Sequence, residues 1–560
     1  EASQTGKPQE VTEKPEDNQE ADDELVEEKI DLSGYIYQCG GFGVMDMPMM
    51  LSLDEESGAR AASDKEGAKT AILNGLKAWE TTIDISAYQI STGEIGAFYA
   101  ELVNANPELF FVTGGVKWNY SPSNNTVISI IPEYNTAYTA QSVSVFENAF
   151  NKAYSEAVPN PAGMSKLQIA RACHDYLAQH MSYDENLQKR DVYAAFVEGT
   201  GVCQGYSLAY GAMMKRAGIP FDYVNSKAMN HMWNVVQLGG NWYHVDVTWD
   251  DPTADRLGFV RHNYFLNSDT KIGSEGKDGH YEWTTARSCT SAAYDNAYWQ
   301  GGVSAIFTID GKDYYLKYPT SGNSFENLLV SRSGDKEETV ASFTATWPAE
   351  NGGYWQGSYS RLSCYDGRLY FNDTKNIYRV DPKAASVADN KKVVYTYTGS
   401  AGSLYGSLVC DDKIRMQVSP SPNDTGTRIE EPLPTGAIKD VTVTAEPSSV
   451  EYGYQTPPKM KASVTGAVEA ANVTYEWYDV TTGSERLISS TGAECVAEAN
   501  LPVGTHTYRV KASFEDSRMS ADVTFTVLPK KVKPEVTITG EYTYELGKEI
   551  LPSHTVVVKA

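Results

Sequence analysis

Two alternating runs, Asn230–Leu238 and Asn241–Trp249, are separated only by Gly239-Gly240. Little except a β-hairpin accommodates that pattern, because a two-residue loop with positive backbone dihedrals suits a glycine pair and matches strand twist. Such a loop pairs Leu238 with Asn241, so Trp233 falls opposite Asp246 and His231 opposite Thr248. Side chains alternate along a strand, which puts His231, Trp233, Asp246 and Thr248 on one face. His231 and Asp246 then become diagonal neighbours with Cβ atoms roughly 6–8 Å apart, within reach of a carboxylate–imidazole hydrogen bond. Met232, Val236, Leu238, Val245, Val247 and Trp249 form the opposite, core-facing side. A one-residue slip would carry Asp246 to that side, so the register decides the chemistry.

Upstream, Cys203 follows Thr200-Gly-Val, and Ser207–Ala217 reads as a helix that stops at Gly218-Ile-Pro220. Cys203 therefore sits at or near a helix N-terminus, where the positive end of the helix dipole favours a thiolate. A cysteine so placed, with a histidine and an aspartate joined on a hairpin, supplies the parts for nucleophilic acyl transfer. Cys203 would attack a carbonyl, His231 would hold the proton for the leaving amine, and Asp246 would orient the imidazole. The Cys203 backbone N–H could serve one side of an oxyanion hole. Tyr183, Gln204 and Trp233 are the further candidates for the oxyanion or substrate cleft; Trp233 is read first as a packing residue, and Tyr183 is evenly balanced. His244 shares the face of Asp246 and is the rival base. Asp250, Asp251 and Asp255 lack EF-hand spacing, and no zinc-type spacing or phosphate-binding loop accompanies them, so neither metal nor cofactor is expected.

Three segments, Gly-Val-Cys203-Gln-Gly-Tyr, Asn-His231-Met-Trp-Asn and Trp-Tyr-His-Val-Asp246-Val-Thr-Trp-Asp-Asp-Pro252, closely resemble bacterial transglutaminase-like proteins, whose core is papain-like. His174-Asp-Tyr-Leu, Met181-Ser-Tyr183-Asp and Asn106-Pro-Glu-Leu-Phe-Phe111 resemble the region preceding that core in secreted members. The resemblance covers about residues 70–270, and it carries the family's Cys-His-Asp triad onto Cys203, His231 and Asp246. Met232 stands where alanine is more usual. The resemblance implies a thiol acyltransferase, peptidase or amide hydrolase acting on proteins, peptides or cell-wall peptides. It also leaves room for a catalytically silent surface protein that uses the same fold for binding or adhesion.

The chain has 560 residues, 73 acidic and 47 basic, for a formal charge of −26, which argues against nucleic-acid partners and anionic membrane surfaces. No run approaches the roughly 18 apolar residues of a membrane span. Seven cysteines are too sparse for a disulfide scaffold; two free thiols at Cys364 and Cys410 are favoured over a bond between them. The reading is a multi-domain α+β chain. Residues 1–31, with twelve acids and three lysines, are expected to be a disordered stalk. An α/β region follows at 32–160, packed on a transglutaminase-like core at 161–290. Short aromatic strands broken by Asp310-Gly311 and Asp366-Gly367 suggest a propeller-blade-like β-meander at 291–420. A Pro/Ser/Asn-rich linker occupies 421–434. Trp477 on a central strand and Tyr508 entering a late one suggest an immunoglobulin-like sandwich at 435–530 without its cysteine pair. Residues 531–560 begin a further β module. Such an architecture suits export and surface display, with the β modules contacting cell-wall or host ligands.

Overall fold

The computed structural model describes residues 24–43, 63–251, 253–274, 279–318, 325–349, 352–355, 357–384, 391–433, 438–466, 473–490, 492–514, 517–539 and 555–559. The chain divides into two units, Glu1–Gly322 with Asn327–Thr339, and Asn323–Glu326 with Val340–Ala560. The first is mixed α and β; the second is built of strands.

In the first unit, strands β1 (Val26–Asp31), β2 (Ile83–Asp84), β3 (Val112–Ser121) and β4 (Thr126–Tyr134) form an antiparallel sheet in the order β1-β3-β4-β2. Helices α1 (Lys65–Lys77) and α2 (Thr92–Asn104) bury Ile72, Leu76, Ile95, Tyr99 and Val103 with Trp118 and Ile130 of this sheet. The expected stalk is corrected at its end. Residues 1–23 lie outside the described residues, but Val26–Asp31 is an edge strand. Its charges suit that position: Lys117 pairs with Glu27 at 2.8 Å, Lys29 with Glu133 at 2.7 Å, and Ile30 turns towards the core.

Next come helices α3 (Ala140–Ala157), α4 (Lys166–His180) and α5 (Cys203–Ala217). The capping box read from Ser165 and Gln168 opens α4. Helix α5 is buried along Cys203–Met214, as befits a helix apolar or small-sided all round, and ends at Gly218 with φ +61°. Strands β5 (Ser182–Tyr183) and β6 (Thr200–Gly201) pair in parallel, which sets Tyr183 opposite Gly201, two residues before Cys203.

The second sheet of this unit has β7 (Phe221–Ser226), β8 (His231–Leu238), β9 (Asn241–Val245) and β10 (Phe265–Asn267) in the order β10-β9-β8-β7. Leu238 pairs with Asn241 and Val235 with His244, across a turn with φ +58° at Gly239 and +85° at Gly240. The ladder stops at the Asn234–Val245 pair, short of the expected Trp249. Asp246 instead caps a helical turn, Val247–Asp250, by accepting the Trp249 N–H at 3.1 Å. The expected Trp233–Asp246 and His231–Thr248 rungs are thus not formed.

The boundary expected at 290 is also corrected. Asp175 accepts the Ile306 N–H at 2.7 Å, and buried Arg171 reaches the Tyr298 hydroxyl at 2.8 Å and Asp313 at 2.6 Å. These bonds hold residues up to the strands Phe307–Ile309 and Lys312–Lys317 against α4.

The second unit contains an antiparallel sheet of Leu362–Tyr365, Arg368–Asn372, Asn376–Val380 and Lys392–Thr396, followed by one of Ser403–Cys410, Lys413–Ser419 and Thr427–Pro432. Asp366-Gly367 makes the expected turn, with φ +51° and +71°, as does Asp310-Gly311 in the first unit, with φ +49° and +77°. Thr427–Pro432 lies within the expected linker; Glu430 binds Arg415 across the ladder, so this polar stretch pairs as an edge strand. Two further sheets enclose Trp477, Tyr508, Val510 and Phe525. Glu535–Thr539 pairs with Thr555–Lys559. All seven cysteines are free thiols.

Candidate active site

Cys203 is the first residue of α5, and the Val202 N–H before it is fixed on the Lys189 carbonyl at 2.8 Å. Its side chain stands beside the His231 imidazole from strand β8, near enough to favour the charged ring. His231 Nε2 lies 2.6 Å from Asp246 Oδ2, which leaves Nδ1 for the sulfur. Asp246 is held by its backbone as well: its N–H donates to the Tyr264 carbonyl at 3.0 Å. A second imidazole, His280, places Nε2 2.8 Å from the same Oδ2. Trp249 packs against both rings, at 5.3 Å from His231 and 4.2 Å from His280.

Burial disfavours charge on Asp246, but the His231 and His280 imidazoles outweigh it and hold the carboxyl well below the usual range. Burial likewise opposes charge on His231; Asp246 first, then Cys203, overcome it and push the imidazole up to about 10. The site therefore stores a proton on His231 through the neutral pH range.

Cys203 and His231 open into a cleft of about 460 Å³ whose walls include Gly40, Phe42, Tyr183, Arg190 and Gln204. Tyr183 keeps its proton because burial, and then the neighbouring Cys203, raise the phenol. Gln204 lines the cleft, but its Nε2 donates to the Gly41 carbonyl at 3.1 Å, so it ties the N-terminal segment to the site. Trp233 is not among the cleft's lining residues: it lies 1% exposed beneath His231, and its Nε1–H donates to His244 Nδ1 at 3.0 Å. His244 in turn holds Asp269 at 2.9 Å through Nε2, away from Asp246.

Among the described residues, three groups gather ligand-type atoms: the buried His231, Asp246 and His280; the buried His174, Asp175 and His262; and His244 and Cys289 with the half-buried Asp269. Hydrogen bonds account for each. The Trp233 N–H on His244 Nδ1 leaves the proton on Nε2, so that nitrogen donates to Asp269 and has no lone pair for a cation. His174 is bonded to Asp175 at 2.8 Å and Asp250 at 3.1 Å, and His262 to Asp175 at 2.8 Å. Asp251 accepts the Tyr206 hydroxyl. The acidic pair before Pro252 thus serves the scaffold.

His280 and the Gly40–Phe42 wall escape a reading of the sequence. His280 lies in a stretch without periodicity, 34 residues from Asp246 in sequence, and no local pattern marks it as a partner of that carboxylate.

Residues 152–247 match the model of the transglutaminase-like superfamily, a span that includes Cys203, His231 and Asp246. The chain contains a transglutaminase-like domain. Among solved structures, a TGase crystal structure is 19% identical over 22% of this chain and 41% of its own, with a TM-score of 0.18. A protein assigned as a cysteine protease from Cytophaga hutchinsonii is 16% identical over 25% of this chain and 59% of its own, with a TM-score of 0.16. The extracellular domain of a one-component system of B. thetaiotaomicron is 10% identical over 53% and 43%, with a TM-score of 0.22. The chain therefore spans less than two thirds of each. No curated protein matches the sequence. Among the described residues, no helix is long and apolar enough to cross a membrane.

Proposed function

We propose that this chain is a thiol-dependent enzyme of acyl transfer at amide bonds, with Cys203 as nucleophile, His231 as acid and base, and Asp246 as the residue that orients His231. The observation that carries this reading is that Cys203, at a helix N-terminus, shares a cleft with His231, which is bonded to Asp246. The sulfur adds to the carbonyl carbon, and the carbonyl electrons move to oxygen, where the Cys203 N–H and the Tyr183 hydroxyl would donate. His231 gives its proton to the departing amine as the C–N bond breaks. Water then attacks the thioester while His231 takes its proton, and the carboxylic acid leaves with the thiol restored. An amine acceptor would yield transamidation by the same path; hydrolysis is favoured because water is the default acceptor in an open cleft.

The substrates are proteins, peptides or peptidoglycan peptides. We place the protein outside a bacterial cell or on its surface, with the Trp477 sandwich as an immunoglobulin-like module and the strand-rich unit as a spacer or arm for cell-wall or host ligands. These assignments rest on the motif resemblance and the β-rich architecture.

Alkylation of Cys203 by iodoacetamide, followed by peptide mass spectrometry against pH, tests the reading. The rate at pH 6 is expected to lie within a few-fold of that at pH 9. In His231→Ala the profile should instead rise about the ordinary thiol value of roughly 8.5. Labelling no faster than an exposed thiol in the wild-type chain would leave a binding scaffold as the better account. Incorporation of a labelled amine much faster than hydrolysis would reverse the preference for water.

A further inference from the structure

The cleft carries one permanent charge that the chemistry above leaves unused. Arg190 lines it together with Cys203, His231 and Phe42 and is half-buried. Its Nη1 donates to the Leu187 carbonyl of its own loop at 2.7 Å, and among the described residues no carboxylate pairs with it. In a chain with 73 acidic residues against 47 basic, an arginine without such a partner stands out.

The neighbouring acids are engaged elsewhere. Asp184 accepts the backbone N–H groups of Asn186, Gln188 and Lys189 at 3.1, 2.7 and 2.8 Å. Asp191 accepts the Tyr138 hydroxyl and the Ala194 N–H, and Glu198 pairs with Lys189 at 2.6 Å. The three bonds on Asp184 also set the shape of the loop before any ligand arrives. That loop holds Leu187 at φ +59° and 49% exposed beside the guanidinium. An apolar side chain and a cation without a carboxylate partner among the described residues thus face the cleft together, and a guanidinium presents paired donors matched to a carboxylate.

We infer that Arg190 determines specificity by pairing with an acidic side chain of the substrate, so that the enzyme acts on acidic peptides. This rests on the catalytic reading of Cys203. The substrate carboxylate meets Arg190 while the scissile amide lies at Cys203, and apart from the catalytic His231 no other basic side chain lines the cleft among the described residues.

The test uses the full chain and tripeptide chloromethyl ketones in which glutamate is scanned through the three positions against glutamine. The readout is the ratio of Cys203 labelling rates for each Glu/Gln pair within one protein, which cancels changes in thiol reactivity. At one position the wild-type ratio is expected to reach about tenfold, the size of a charge-assisted hydrogen bond discounted for partial exposure. Arg190→Gln should bring it to about one, Arg190→Lys should retain only part of it, since an ammonium keeps the charge but not the paired donors, and Arg190→Glu should take it below one. A ratio near one at every position in the wild type, or one that survives in Arg190→Gln, overturns the inference. Slow iodoacetamide labelling of the wild-type chain removes the catalytic reading and this inference with it, whereas fast labelling with a flat ratio removes the inference alone.

Discussion

Asp246→Asn is expected to keep the fold and to lower turnover of a peptide amide by about ten-thousandfold, the loss seen when a triad carboxylate becomes an amide. Asp246 accepts three donors: His231 and His280 on Oδ2, and the Trp249 N–H on Oδ1. An asparagine has a single acceptor oxygen. With that oxygen towards the imidazoles, the amide NH₂ meets the Trp249 N–H. With the oxygen towards Trp249, the NH₂ meets both imidazoles, and His231 must accept at Nε2. Its proton then sits on Nδ1, facing Cys203, where it can no longer take one from the thiol. Either orientation also removes the negative charge that keeps His231 protonated. Iodoacetamide labelling of Cys203 at pH 6.5 should therefore fall by about tenfold or more, with the profile moving up towards that of an ordinary thiol. Turnover within tenfold of wild type would show that Asp246 is structural.

The route to this site was partly legible in the sequence. Glycines at 239 and 240 fix a two-residue turn, and from it the register follows by counting; the Leu238–Asn241 pair is as read. Gly218 likewise marks the end of α5. The alternation then misleads: it runs on through Val245-Asp-Val-Thr-Trp249, but Asp246 caps a turn, which competes with the ladder for the same backbone groups. His231 and Asp246 still meet, because leaving the strand one residue after Val245 keeps the carboxylate beside the first residue of β8. His280, the Gly40–Phe42 wall and the bonds from α4 to Ile306 and Asp313 depend on long-range packing, and no local period records them. The strand at Val26–Asp31 is masked by composition, since Glu27 finds its lysine only on β3 and Lys29 its acid only on β4.

Loss of the His174 side chain should produce the largest stability defect outside the triad. His174 is fully buried between α4 and the turn that follows Asp246, bonded to Asp175 on one side and Asp250 on the other. Asp250 in turn donates its N–H to the Asp246 carbonyl at 3.2 Å, so the imidazole braces the turn that carries the catalytic carboxylate. Burial opposes its charge, but the two carboxylates prevail and push His174 up to about 9. His174→Ala leaves both acids without it in a water-free site, which costs about 3–5 kcal/mol. Denaturant titration of the first unit's transition measures the loss. The pH dependence has a definite sign: a histidine that binds its proton more tightly when folded stabilises fully below about pH 6.5, and the contribution fades as pH rises through about 9. A shift of that size corresponds to about 3 kcal/mol. The gap between wild type and His174→Ala should therefore be widest near pH 6 and narrow by most of that amount at pH 9.5. A gap that stays constant across this window would mean that His174 is a neutral hydrogen-bond relay, and that the brace on Asp246 is one of shape rather than charge.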